Sequence, residues 1–420
     1  MVEVGIEDMH FFGGNAYLDV SELADYRQLN PDRFAKLLIK EKTVPLLSED
    51  PITFAVNAAK PIIDGLSAKD IDSIELLITC TESGIDFGKS ISTYVHDYLG
   101  LSKNCRMFEL KQACYSGTAG FQMAVNFILS QTSPGAKALV IATDLSRHTV
   151  EKGKDVSVMD WSYAEPSTGA GAVALLVSEI PSIFKVDVGA NGYYGYEVMD
   201  TCRPLADSEA GNADLSLLSY LDCCEKAFLE YAKRINQVCY KNSFQYLAFH
   251  TPFGGMVKGA HRSNMRKILG ASPIEIDEDF NNRVLPGLNY CQRVGNIMGA
   301  TVLLSLLSTI CNSDFRLSKR IGCFSYGSGC CSEFYSGVVD ASDAQRLRKE
   351  LIEAQLDGRY QLTVDEYEDL LSDNSNVSFG TRNCELEKYA PSNYISSELA
   401  TPQLFLKKIK DFHREYTWTT

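Results

Sequence analysis

No CxxC pair occurs among the 13 cysteines of this 420-residue chain, and the closest cysteines, Cys223-Cys224 and Cys330-Cys331, are adjacent. Structural zinc draws on ligands spaced two to four residues apart, so no metal is expected. A secretory pattern is also missing. The opening Met1-Val2-Glu3-Val4-Gly5-Ile6-Glu7-Asp8 is acidic, and the thiols are read as reduced and cytoplasmic. Apolar runs such as Thr301 to Ile310 are far too short to span a bilayer, which argues against a membrane partner. Positive charge is scarce, with 40 Lys and Arg against 54 Asp and Glu and a formal net charge of −14. A chain of that sign repels nucleic acid, and none of the nucleic-acid motifs is present. Low-complexity sequence is absent too, and Asp373 to Ser378 is only a polar loop.

What is there is a chain 45% hydrophobic, long enough to bury a large core in about two or three domain-sized units. One cysteine stands apart. Cys114 lies in Ala113-Cys114-Tyr115-Ser116-Gly117-Thr118-Ala119-Gly120, after the strand-like Arg106 to Leu110 and before apolar positions Met123, Ala124, Phe127 and Ile128 at helical spacing. An arbitrary cysteine is more often a buried apolar group than a nucleophile. At a strand-to-helix junction, however, free N–H groups and the positive end of the helix dipole favour a thiolate and offer donors to an oxyanion. Small neighbours leave room for a thioester.

The pattern around Cys114 occurs twice. Ile74 to Ile78 ends at Thr81-Glu82-Ser83-Gly84, and Phe244 to Phe249 ends at His250-Thr251-Pro252-Phe253-Gly254. The Cys114 helix is answered by Gly295-Asn296 and a helix with Ile297, Ala300, Leu303, Leu304 and Leu307 on its apolar positions. Ala138 to Ala142 and the Gly169-to-Val177 strand are matched by Arg320 to Ser325, the Tyr326-Gly327-Ser328-Gly329 turn and Cys331 to Val338. Two related α/β halves are therefore expected, residues 1–180 and 181–420. A linker is placed near Pro181 to Ala190. A C-terminal extension begins at about 340, with an amphipathic helix over Ala344 to Leu356 and a capping box at Thr363 and Glu366. Glu82, Cys114, His250, Asn296 and the Tyr326-to-Gly329 turn all fall where strands end or helices begin, and such ends converge on one cleft.

Glu82-Ser83-Gly84, Gln112-Ala113-Cys114-Tyr115, His250-Thr251-Pro252-Phe253, Gly295-Asn296 and Ser325-Tyr326-Gly327-Ser328-Gly329 together resemble the 3-hydroxy-3-methylglutaryl (HMG) synthase family over nearly the whole chain. More narrowly, the sequence is similar to the bacterial branch that works on acyl carrier proteins during β-branching of polyketides. The resemblance implies a thiolase-like five-layered αβαβα fold and a homodimer. It also implies no tightly bound cofactor: the acyl groups ride on phosphopantetheine of a donor acetyl-carrier protein and an acceptor β-ketoacyl-carrier protein, or on coenzyme A. Carried over residue by residue, it makes Cys114 the acetyl acceptor, Glu82 the base that forms the enolate and His250 the acid for the tertiary alkoxide. Asn296 and Ser328 hold carbonyl oxygens, and Tyr115, Asp144, Tyr326 and either Asp200 or Glu197 support the substrate. Ser116 stands where the primary-metabolism enzymes commonly carry glycine or alanine.

Carrier proteins are acidic, so an acidic enzyme needs local positive charge to dock one. Arg33, Lys36 and Lys40 fall on one face of a predicted helix, and Lys258, Arg262, Arg266 and Lys267 follow the His250 motif. A solvated face explains either cluster equally well. Three rival functions remain: an HMG-CoA synthase of primary metabolism, a decarboxylating Cys-His-Asn ketosynthase, which has no need of Glu82, and a silent carrier-binding scaffold.

Overall fold

The computed structural model describes residues 2–147, 161–205, 208–341, 346–386 and 402–419. Nine of its strands form one hydrogen-bonded ladder: β1 (Gly5–Phe12), β2 (Ile74–Cys80), β3 (Arg106–Leu110), β4 (Lys137–Leu145), β5 (Ala170–Ser178), β6 (Phe184–Gly195), β7 (Tyr246–Phe249), β8 (Lys319–Gly327) and β9 (Cys331–Val339). Their spatial order is β7-β8-β9-β6-β1-β5-β4-β2-β3. From β1 outward, β5 and β4 follow antiparallel, then β2 and β3 parallel. From β6 outward the sense repeats, with β9 and β8 antiparallel and β7 parallel. Within this ladder the strands of the two halves pair at Gly5↔Lys185 and Ile6↔Phe184.

Strands that read as continuous apolar runs must be covered on both faces, and every residue of β4 and of β5 is buried. The covering helices make five layers. Helix α1 (Pro51–Asp64), started by an Asp50–Thr53 capping box, covers the outer face of the first half. Helices α2 (Ser116–Leu129) and α5 (Thr301–Cys311) form the middle layer, where Phe121, Val125, Val302 and Leu306 share one core. Helices α3 (Ala213–Arg234) and α4 (Gly254–Leu269) cover the second half over a core rich in Phe and Tyr. This is the thiolase-like α/β fold of two pseudo-repeated halves.

Two sequence expectations are corrected here. The linker placed over Pro181 to Ala190 is mostly strand, because β6 begins at Phe184 and buries Phe184 and Val186 in alternation. Lys185 and Asp187 between them disguised that alternation as a polar connection. Secondly, Arg33 and Lys36 lie in two short turns of helix, Pro31–Phe34 and Ala35–Leu37, and Leu38 in the left-handed region (φ +55°) ends them before Lys40.

The C-terminal extension returns to the first half. Helix α6 (Lys349–Asp357) stands for the one expected from Ala344, residues 342–345 lying outside the described residues, and the Thr363–Glu366 capping box opens α7 (Val364–Asp373). The expected loop after it carries a 3₁₀ turn, Asn374–Val377. The hairpin Leu404–Lys410/His413–Trp418 docks on α1: Leu404 and Asn57 exchange two hydrogen bonds, and buried Asp50 accepts from Arg414 (2.9 Å) and Tyr416 (2.7 Å).

Candidate active site

Cys114 sits in a tight turn between the end of β3 and the start of α2. Tyr115 N–H donates to the Gln112 carbonyl and Ser116 N–H to that of Ala113, each at 3.1 Å. Ala113 carries φ +45°, a conformation alanine rarely adopts, so the turn is held by its surroundings. Two glycines of the second half allow the hold. A Cβ on Gly327 would come within 2.6 Å of Tyr115 N, and one on Gly299 within 2.2 Å of Ser116 Oγ. The Tyr326-to-Gly329 turn and the Met298–Ala300 turn thus press directly on the cysteine turn.

Electrostatics corrects the thiolate expectation. Burial pushes the Cys114 thiol well above its ordinary value, and the Glu82, Asp144 and Glu209 carboxylates push it the same way against Arg203. No side chain caps α2, so the helix start still offers donors, while burial and then the neighbouring carboxylates favour the neutral thiol. Cys114 rests as a thiol.

Glu82 follows β2 on a loop tied to β3 by Thr81 N–H donating to the Leu110 carbonyl. Asp144, fully buried at the end of β4, collects that loop on a single oxygen: Oδ1 accepts from Thr81 Oγ1 (2.9 Å), Glu82 N (2.9 Å), Ser83 N (3.1 Å) and Ser83 Oγ (2.9 Å). Burial raises Glu82 to about 8, with Arg203 lowering it and Asp144 and Glu209 raising it. Burial likewise raises Asp144 to about 6.

The second half supplies the facing groups. His250, at the end of β7, is 1% exposed; its N–H donates to the Phe324 carbonyl and its carbonyl accepts from Tyr220. Burial pushes its ring down to about 3, so it rests neutral, and Nδ1 has no partner among the described residues. Asn296 Oδ1 accepts from Met298 N and Thr301 Oγ1, both at 3.0 Å, which leaves its amide Nδ2 as the group to meet a ligand. Asp200 and Glu197 lie in different surroundings. Asp200 is buried and accepts from Tyr326 Oη (2.6 Å) and Gly329 N (2.8 Å), fixing the turn that carries Ser328, whereas Glu197 is exposed. Tyr115 donates its hydroxyl to Glu333 (2.6 Å). A cysteine beside a buried carboxylate, a turn of the second half pressing on that cysteine and a neutral imidazole at the end of β7 are group types suited to thioester chemistry.

Two family models divide the chain: hydroxymethylglutaryl-coenzyme A synthase N terminal over residues 2–181 and hydroxymethylglutaryl-coenzyme A synthase C terminal over residues 260–419. The chain belongs to the hydroxymethylglutaryl-coenzyme A synthase family. It is 64% identical over 418 residues to the polyketide biosynthesis 3-hydroxy-3-methylglutaryl-ACP synthase PksG of Bacillus subtilis, each chain covered over 100% of its length. Identity to the hydroxymethylglutaryl-CoA synthase of Enterococcus faecalis is 32%, over 88% of this chain and 92% of that one. Among solved structures, the curacin biosynthetic pathway HMG synthase in complex with acetyl donor-ACP superposes with a TM-score of 0.95 at 62% identity, covering 99% of this chain and 100% of that chain.

On this synthase the segment of the first basic cluster touches the start of α4: Gly255 packs against the Lys36 carbonyl and Gly254 against Leu38, and a narrow cleft there is lined by Leu38, Ile39, Pro252, Phe253, Gly254 and Asn296. Lys36 and Lys40 are exposed, as are Arg262 and Arg266 further along α4. Lys258 is instead paired with Asp277 (2.9 Å), and Lys267 with Glu225. Sequence reasoning missed four polar neighbours. Arg203 and Glu209 lie against Glu82, and buried Glu333, raised by burial to about 7, accepts from both Tyr115 and Asn191. Only the Arg203-Pro204 dipeptide beside Asp200 gave any signal.

Proposed function

We propose that this protein is an HMG-acyl carrier protein synthase of polyketide β-branching, with its nucleophile in the half spanning 1–180 and His250 in the half spanning 181–420. The observation that carries it is the end-to-end 64% identity to the Bacillus subtilis HMG-ACP synthase, twice that to the Enterococcus faecalis CoA enzyme. The curacin enzyme bound to donor-ACP, in apo, holo and acetyl forms, supports a carrier with its phosphopantetheine as the donor. A second, β-ketoacyl-carrier protein is the acceptor. The enzyme acts as a cytoplasmic homodimer, with the Lys36 and Arg262 clusters receiving the acidic carrier.

Each step is assigned a group on this reading. Cys114 attacks the acetyl thioester, and its proton leaves on the departing carrier thiol. Glu82 then takes a methyl proton, the electron pair passing to an enolate whose oxygen lies against backbone N–H groups at Cys114 and Ser328. Such donors are typically worth about 10²- to 10³-fold each, and a base near neutrality about 10²- to 10⁴-fold. The enolate carbon adds to the β-ketone of the acceptor, held by Asn296. Neutral His250 polarises that ketone by donating an N–H, as a neutral imidazole can, and relays the proton held by Glu82 to the alkoxide. Water then cleaves the Cys114 thioester, leaving a carboxylate, a thiol and a released proton. Asp144, Asp200, Tyr326 and Tyr115 position these groups.

The test is intact-mass analysis after mixing the enzyme separately with acetyl-carrier and acetyl-CoA. Acetyl transfer from the carrier is expected for the native chain and for Glu82→Gln, and none for Cys114→Ala, with Glu82→Gln failing to condense. Transfer from CoA alone would return the protein to primary metabolism, and normal condensation by Glu82→Gln would remove Glu82 as the base.

A further inference from the structure

Glu82 is not left alone with the cysteine. Its Oε1 lies 3.1 Å from Nη2 of Arg203, and the same nitrogen lies 3.0 Å from Glu209 Oε1. The guanidinium also reaches the Glu82 carbonyl at 3.3 Å and Ser83 Oγ at 3.4 Å. All three charged side chains are 13–16% exposed. Arg203 comes from the strand Thr201–Leu205 and Glu209 from its antiparallel partner Ser208–Gly211, so one hairpin brings both to the loop that carries Glu82.

A buried guanidinium sitting on one carboxylate holds that carboxylate ionised and makes it a weak base. It also faces a penalty when the carboxylate takes a proton, because the cation is then left in a poorly solvated site without its counter-charge. Glu209 removes both difficulties. It divides the guanidinium while Glu82 is ionised, and it keeps Arg203 paired once Glu82 is neutral.

We infer that Arg203 and Glu209 are positioning residues for Glu82, Arg203 fixing the carboxylate on its loop and Glu209 holding the guanidinium so that Glu82 can take and release a proton. This rests on Glu82 being the base. The groups facing Glu82 are Arg203 and Glu209 from the hairpin, Asp144 from the end of β4, and Lys111 and Cys114 from the turn after β3. In the reaction the methyl C–H bond breaks, its proton forms the O–H of Glu82, and its electron pair becomes the enolate, so net charge stays constant while Arg203 remains on Glu209. The direction of each neighbour's influence agrees: Arg203 lowers Glu82, and Asp144 and Glu209 raise it.

The experiment follows condensation rate against pH for the native enzyme, Arg203→Gln, Arg203→Lys and Glu209→Gln, with Cys114 acetylation read by intact mass in the same samples. A charge within hydrogen-bonding distance moves a carboxylate by about one unit or more. Arg203→Gln should therefore shift the acidic limb to higher pH, with about a tenfold loss below it. Glu209→Gln should shift the limb to lower pH with a lower plateau, and Arg203→Lys should return it most of the way. Limbs that stay in place while all rates fall together would overturn the inference, as would a lysine that restores nothing. Glu209→Gln decides alone should Arg203→Gln fail to fold. A native enzyme that never acquires acetyl would instead overturn the condensing function, and the inference with it.

Discussion

Asp144→Ala and Asp144→Asn separate two things that this carboxylate does at once. Its Oδ1 gathers four donors from Thr81, Glu82 and Ser83. Without it, Ser83 N still has Thr81 Oγ1 at 2.9 Å and Ser83 Oγ still has the Leu145 carbonyl at 3.1 Å. Among the described residues, Glu82 N and the Thr81 hydroxyl have no second acceptor and are the donors orphaned by alanine. An unsatisfied donor of that kind costs about 1–3 kcal/mol, so Asp144→Ala should lower the unfolding free energy by that amount, read as a lower urea midpoint with an unchanged slope. Asparagine keeps an acceptor at the same place and should cost roughly 1 kcal/mol or less.

Activity should divide differently. A base displaced by about 1 Å loses on the order of 10²-fold, so Asp144→Ala should lose condensation by that factor while acetylation of Cys114, carried on another turn, changes little. Asp144→Asn should keep the rate but lower Glu82, moving the acidic limb of condensation to lower pH, because one of the charges raising Glu82 is gone. Stability against pH gives a further check. Burial raises Asp144 from 3.8 to about 6, so its contribution is fully present below the lower value and is lost as pH rises through the upper one. Asp144→Asn should flatten the curve across that window. Equal loss of acetylation and condensation in both variants would refute the reasoning, since Asp144 would then support the whole fold and not the Glu82 loop.

Gly327→Ala should slow acetylation and condensation together by about 10²-fold, because its Cβ would meet the Tyr115 backbone at 2.6 Å, where no side chain can give way; single-turnover mass analysis checks it, and a normal acetylation rate would show that the turn tolerates the displacement. Reversing Arg33 and Arg266 to Glu should weaken transfer from acetyl-carrier and spare small thioester mimics, and equal loss with both substrates would remove the docking assignment.

The groups proposed to act could be placed on the fold from the sequence because each ends an element whose pattern is local. Cys114 follows an apolar strand and precedes a helical repeat; Glu82 and His250 end matching strands. The groups that tune them were not legible, because they come from distant segments. Tyr115 meets Glu333 across 218 positions, and Asn191 meets it across 142. Glu333 also follows Ser332 on a strand, where such a polar pair passes for a solvent-facing stretch, yet β9 is covered and Glu333 is fully buried. The choice between Asp200 and Glu197, three residues apart in an irregular stretch, has no periodicity to decide it; burial and the Tyr326 hydroxyl do.

The largest revision concerns charge. A helix start beside Cys114 predicts a stored thiolate, whereas burial first, and then Glu82, Asp144 and Glu209, push the thiol up against the opposing Arg203. That arrangement costs the first step some nucleophilicity and favours the second. Once Cys114 is acetylated, its sulfur can no longer ionise, and the site must instead remove a proton from a weakly acidic methyl group. A carboxylate held near 8 is a far better match to that proton than one at its ordinary value. In the proposed reaction the charge that Glu82 gives up would appear on the enolate oxygen, and the turn that Asp200 fixes through Gly329 and Tyr326 would supply backbone donors to it. The acidic surroundings thus resist a thiolate while supporting a base, and acetylation decides which of the two the site needs.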